Sequence, residues 1–189
     1  MLVSCVAVKE ETVNEPSSWQ AQQKKRQQIV AWEVRGRLGV QTEKNGGSLD
    51  VIWQQYEQDY TIRLIAPLAS GNYLIQGNAE YAEVRHPDGH KEIIDDVDKI
   101  FSSVLQVELP VAAIRDWLRG LPAKRLSIQE ITWNEKGLIN VIRQAGWRVE
   151  MKKYTGTDIL MPHVIYLSRA DNAELDIRLA IRRWLIDAG

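Results

Sequence analysis

Trp32-Glu33-Val34-Arg35-Gly36-Arg37-Leu38-Gly39-Val40 decides the fold class. Its even positions are apolar or small, while positions 33, 35 and 37 are charged. A period of two belongs to a strand with one dry and one wet face, and hence to an antiparallel sheet packed on one side only. The same pattern continues outward. Leu49, Val51 and Trp53 share one face of the next strand, and Tyr60, Ile62 and Leu64 of a third. Tyr73 to Gln76 and Tyr81 to Arg85 follow. Asn45-Gly46-Gly47 is expected to supply the positive-φ residues of a hairpin turn, and Pro87-Asp88-Gly89 another turn.

Between 95 and 120 the period changes. Val97, Ile100, Phe101, Val104 and Leu105 form one stripe at helical spacing, on a helix expected to begin at Asp95 or Asp96. Pro110 opens a second short helix carrying Ile114, Trp117 and Leu118, and Gly120 with Pro122 stops it. Strand patterns resume at Leu126–Trp133, Leu138–Arg143, Trp147–Met151, Val164–Ser168 and Leu175–Ile186. The last alternates through Leu175, Ile177, Leu179 and Ile181, then changes phase to Trp184 and Ile186, so a bulge is expected near Arg182-Arg183. On the other side, Ser17 or Ser18 is a candidate cap for a helix through Trp19, Gln22, Arg26 and Ile29. Positions 1–16 read as a tether and 17–189 as one domain of about eleven strands, with helices at about 95–120.

Composition narrows the function. In 189 residues, 24 Lys and Arg nearly balance 25 Asp and Glu, so the basic footprint of a nucleic-acid binder is missing. No apolar run reaches the ~20 residues of a bilayer span. Asp95, Asp96 and Asp98 suit the start of a helix. His86, His90 and His163 lack the further ligand a metal site requires, so no metal is expected. No Gly-rich phosphate loop, nucleophile elbow or Ser/Cys–His arrangement appears. The reading is therefore no catalytic residue, no enzyme and no cofactor.

Two local features call for another explanation. The single cysteine lies in Leu2-Val3-Ser4-Cys5, which fits a bacterial lipobox in which Cys5 is acylated; the alternative is a chance cysteine in a tail. In Ala66-Pro67-Leu68-Ala69-Ser70-Gly71, small neighbours cannot cover Leu68. Left exposed, it forgoes roughly 1.5–3 kcal/mol of burial, recoverable in a bilayer or a partner's groove. Otherwise it folds back on the sheet.

Taken together, these residues resemble the LolB family of outer-membrane lipoprotein receptors. The resemblance rests on the helix with Trp19, on Arg35-Gly36-Arg37-Leu38, on Pro67-Leu68 after Arg63-Leu64, on Leu109-Pro110 to Trp117 leading into Gly120-Leu121-Pro122, and on the position of Cys5. It implies an incomplete, half-open antiparallel β-barrel covered by an α-helical lid, mainly β with helices. It also implies an outer-membrane location in a Gram-negative bacterium, lipid-anchored through Cys5 and facing the periplasm. The implied partners are the periplasmic carrier LolA, acylated lipoproteins and outer-membrane lipid, with a monomeric receptor. Pro67 and Leu68 would deliver cargo to the membrane. Ala66 and Ala69 depart from the Asn and Gly of many relatives, which bears on how the loop is aimed. Val6 is not the Asp that commonly retains lipoproteins at the inner membrane.

The expected acyl-chain cavity takes Trp32, Val34, Leu38, Leu49, Val51, Trp53, Ile62, Leu64, Trp147 and Val149 from strands, and Ile100, Phe101, Val104, Ile114 and Trp117 from the helices. For each, plain core packing is the alternative. Two other readings remain: a soluble carrier with the same half-barrel, and a structural or adaptor lipoprotein whose solid core binds protein only.

Overall fold

The structure, a computed structural model, describes residues 15–43, 45–67 and 71–187. Cys5 and Leu68 lie outside the described residues. Helix α1 (Ser17–Gln27) leads into β1 (Ala31–Gln41), β2 (Gly46–Tyr56), β3 (Asp59–Ile65), β4 (Asn72–Gly77), β5 (Ala82–Arg85) and β6 (Lys91–Ile94). A 3-10 turn (Val97–Lys99), α2 (Ile100–Leu105) and α3 (Val111–Leu118) follow. The chain ends in β7 (Ile128–Trp133), β8 (Ile139–Gln144), β9 (Trp147–Lys152), β10 (Val164–Arg169) and β11 (Asn172–Asp187).

All eleven strands form one antiparallel sheet in the order β6-β5-β4-β3-β2-β1-β11-β10-β9-β8-β7. The sheet does not close, and its two edges are β6 and β7. Those edges are consecutive in sequence, joined by the helical segment alone. Topology therefore carries the helices from one edge of the opening to the other, and their apolar stripes pack on the dry face.

Alternation places the core. Trp32, Val34, Leu38, Val51, Trp53, Ile62, Leu64, Ile177 and Leu179 are buried on that face, while Arg35 and Arg37 are exposed on the other. The phase change in β11 is a bulge: Arg35 pairs with Arg183 and Gly36 with Ile181, leaving Arg182 extra. At Gly36 a Cβ would come within 2.5 Å of the Ala180 carbonyl oxygen, so only glycine lets the long strands stay paired across the bulge.

Several local expectations are corrected. Gly46 and Gly47 belong to β2, opposite Gln41 and Val40. Strand pairing runs to the end of β1, and the connection is 42–45, closed by the Thr42 N–H on the Asn45 carbonyl at 2.8 Å. Neither Ser17 nor Ser18 caps α1; Pro16 holds that position without a side-chain bond, and the Ser18 hydroxyl donates to the Lys136 carbonyl at 3.4 Å. A short strand, β6, follows the 87–89 turn. The stripe from Val97 is broken into a 3-10 turn, capped by the Asp96 carboxylate on the Asp98 N–H at 3.2 Å, and then α2, which ends at left-handed Gln106. Strand β7 starts at Ile128 instead of Leu126, because the Leu126 carbonyl accepts from the Gln144 side chain at 2.8 Å. His163 is structural: its Nδ1 lies 3.0 Å from the Ile181 carbonyl oxygen.

Candidate functional site: an apolar void beneath the helices

A void of about 40 Å³ lies between the sheet and the helices. Leu38, Val51, Trp53, Ile62 and Leu64 form one wall, and Phe101, Ile114 and Trp117 the roof. The opposite wall, Ile165 and Leu167 of β10 with Ile177 and Leu179 of β11, was not among the expected lining residues, nor were Leu109 and Leu118. The alternation of Leu175 to Ile181 was the signal available for that wall. The remaining expected residues lie elsewhere. Trp32 and Val34 are core residues further along β1, Trp32 packing on Trp53 at 5.8 Å and on Trp184 at 5.5 Å between ring centroids. Ile100, Trp147 and Val149 are buried in the same core, and Trp147 faces Trp117 at 6.3 Å.

Polar atoms are kept off the void. The Trp53 Nε1–H donates to Gln55 Oε1 at 3.1 Å and the Trp117 Nε1–H to Gln144 Oε1 at 2.9 Å. Both indoles thereby satisfy their only donor and turn hydrocarbon inward. Nothing in the lining can hydrogen-bond or carry charge, so the space discriminates for hydrocarbon and against anything polar.

Leu38 also lines a recess of about 1020 Å³ that opens outward, so the void and the recess meet at that side chain. Leu49 and Val104 line this recess and not the void, as does Pro67. Glu43, Glu108, Arg169, Asp171 and Glu174 supply its charged lining. The Pro67 loop is tied at its base by the Ala66 N–H on the Gly71 carbonyl at 3.2 Å. Gly71 has φ +103°, and a Cβ there would overlap Pro87 at 2.2 Å. Pro67 thus lines the recess, and Gly71 stands against the β5–β6 turn.

The C-terminal part of the helical segment is strapped down. Fully buried Gln144 holds the Trp117 indole, both polar atoms of the Ala123 backbone and the Leu126 carbonyl. Arg119 pairs with Asp116 at 2.6 Å and donates to the Ile29 carbonyl at 3.0 Å; burial lowers its pKa against the opposing pull of Asp116. Arg26 of α1 donates to the Gly120 carbonyl at 3.1 Å and to that of Leu160. Its guanidinium lies between the Trp19 and Tyr154 rings, 5.6 and 5.3 Å from their centroids. Burial brings its pKa down to about 10, leaving it a cation at neutral pH. The sequence placed Arg26 on the docking stripe of α1 but gave no sign that it would be wholly buried.

No group of three or more potential metal-ligating side chains comes together among the described residues. What the fold and site define is an open β-half-barrel with an apolar interior under a helical cover. Residues 30–184 match the sequence model of the LolB family, described as outer membrane lipoprotein LolB, and the chain belongs to that family. It is 28% identical to the outer-membrane lipoprotein LolB of Halorhodospira halophila, covering 89% of this chain and 82% of that one. With the LolB of Alkalilimnicola ehrlichii it is 27% identical, covering 97% and 92%. Among solved structures, a LolA superfamily protein from Nitrosomonas europaea shares the fold at TM-score 0.58 and 8% identity, covering 90% of this chain and 94% of that one. A DUF1329 family protein from Desulfovibrio piger does so at TM-score 0.60 and 9% identity, covering 91% and 92%. Membership places the protein at the outer membrane of a Gram-negative bacterium, in a family of lipoprotein-trafficking receptors and not in a known enzyme family.

Proposed function

We propose that the protein takes acylated lipoproteins from the periplasmic carrier LolA, holds their acyl chains between sheet and helices, and releases them into the outer membrane. The observation that carries this is the wholly apolar void meeting, at Leu38, a recess beside the Pro67 loop. At ~0.8 kcal/mol per CH₂, a 16-carbon chain exposes on the order of 12 kcal/mol to water, so cargo must pass from one apolar cover to another. An engineered apolar cavity of about 150 Å³ takes up a molecule no larger than benzene, and the void here is about 40 Å³. The space as it stands is too small for an acyl chain, so loading requires the cover to lift. Arg26, Arg119 and Gln144 fasten the α3 end, so α2, beside the recess, is the part that moves. Cys5 supplies the lipid anchor and Leu68 the contact with membrane. The transfer runs down an affinity gradient, tenfold for each ~1.4 kcal/mol by which binding exceeds the carrier's.

The tight packing also suits a second reading, an adaptor lipoprotein with a solid core that binds protein only. One experiment separates them. LolA loaded with labelled lipoprotein is mixed, without nucleotide, with the Cys5→Ala variant, and each protein is recovered by its tag. The receptor reading expects the label on the variant. Label remaining on the carrier beside a folded variant favours the adaptor.

A further inference from the structure

On the side of α3 away from the void, a second recess of about 380 Å³ lies between α3, the 3-10 turn, the β2–β3 turn, residues 78–79 and the 123–126 segment. Its chemistry is the reverse of the void's. Tyr60 lines it and is only 7% exposed, yet its hydroxyl is buried without a hydrogen-bond partner among the described residues. Arg115, also in the lining, donates one Nη1–H to Gln58 Oε1 at 3.0 Å, while its buried Nε–H has no partner there. Two residues of one lining that each keep a buried donor without a partner are unusual, because buried polar groups are paired as a rule.

The charges point the same way. Arg115, Lys124 and Arg125 line the recess, and none is in an ion pair among the described residues. Of the two carboxylates in the lining, Asp116 is consumed by Arg119 at 2.6 Å and by the Lys124 backbone N–H at 3.2 Å. Asp98 is left, and it accepts from the Val111 N–H; burial and the charge of Asp96 raise its pKa. Three cations outside any ion pair among the described residues thus share the lining with Asp98. Burial pushes the Tyr60 phenol up to about 12, with smaller opposed contributions from Arg115 and Asp98. The hydroxyl is therefore a donor at neutral pH, and it feels both charges.

We propose that this recess binds a compact oxyanion, a phosphate or carboxylate group, held by Arg115 and the Tyr60 hydroxyl with Lys124 and Arg125 adding charge. Such a group would give both orphaned donors an acceptor, and charge-assisted bonds to guanidinium are the strong kind. The recess draws on Val97 and Asp98 at the start of the helical segment and on Lys124 and Arg125 after its end. A bound anion would therefore tie the two ends of the cover together. The inference stands apart from lipoprotein transfer, since it concerns the other face of α3.

The test is titration of the full chain with inorganic phosphate and, separately, with glycerol 3-phosphate, followed calorimetrically and by the Arg115 Nε–H resonance. Saturable one-to-one binding that moves this resonance is expected. Arg115→Gln should weaken it at least about tenfold, and Tyr60→Phe severalfold while keeping the buried ring. Tighter binding of glycerol 3-phosphate would indicate a phospholipid headgroup, and equal binding a free anion. A stationary Arg115 resonance in the unaltered protein overturns the proposal. So does binding that is unchanged in the two folded variants.

Discussion

Arg26→Ala is expected to lower the unfolding free energy by about 3–5 kcal/mol, read from the urea midpoint of the otherwise unaltered chain. The side chain has no exposed surface. Its loss strips donors from the Gly120 and Leu160 carbonyls and leaves a gap between the Trp19 and Tyr154 rings. Each orphaned acceptor costs roughly 1–3 kcal/mol, and the gap adds a cavity penalty. The expected loss is a large share of the 5–15 kcal/mol typical of a domain. A change below about 1 kcal/mol would show that α1 is not held this way. Because Gly120 follows α3, this guanidinium also joins α1 to the fastened end of the helical cover.

The other large effect is on release. Leu68→Glu should leave acceptance from the carrier intact and reduce incorporation of label into phospholipid vesicles by about 10–100-fold. That range follows from the roughly 1.5–3 kcal/mol of apolar transfer lost with the leucine. Pro67, the neighbour of Leu68 in sequence, lies in the lining of the recess and not in that of the void. Equal delivery by variant and parent would remove Leu68 from the mechanism. Impaired acceptance would move it to the carrier-docking step.

The architecture was legible because its determinants are periodic. A period of two in β1 to β4 and β8 to β11 sets the dry face, and the phase change after Ile181 marks a bulge near Arg182-Arg183, where Arg182 is the extra residue. The change of period from Val97 to Leu118 locates the cover. Turn details were less legible: Gly46 and Gly47 look like turn residues but are drawn into β2 by pairing with β1, a tertiary effect that no local signal reports. The site was half legible for a similar reason. Apolar residues on one sheet face are indistinguishable in sequence, so Ile62 and Leu64 were named for the void and Ile165 and Leu167, equally periodic, were not. Trp32 and Val34, on the right face, pack into the core beside Trp53 and do not reach the void. The recess with Tyr60 and Arg115 was invisible, because it joins five separate segments that only the folded sheet and helices bring together.

The central claim is that acyl chains enter the space between sheet and helices. Trp53 and Trp117 line that space, so a lipoprotein carrying a nitroxide on its acyl chain reports directly on entry. It is loaded on LolA and mixed with the Cys5→Ala variant, and tryptophan emission is followed. The account predicts quenching that accompanies transfer and is largely lost when Trp53 and Trp117 are both replaced by phenylalanine. Transfer with no quenching, or with the same quenching in the doubly substituted protein, would mean that the chains are held elsewhere.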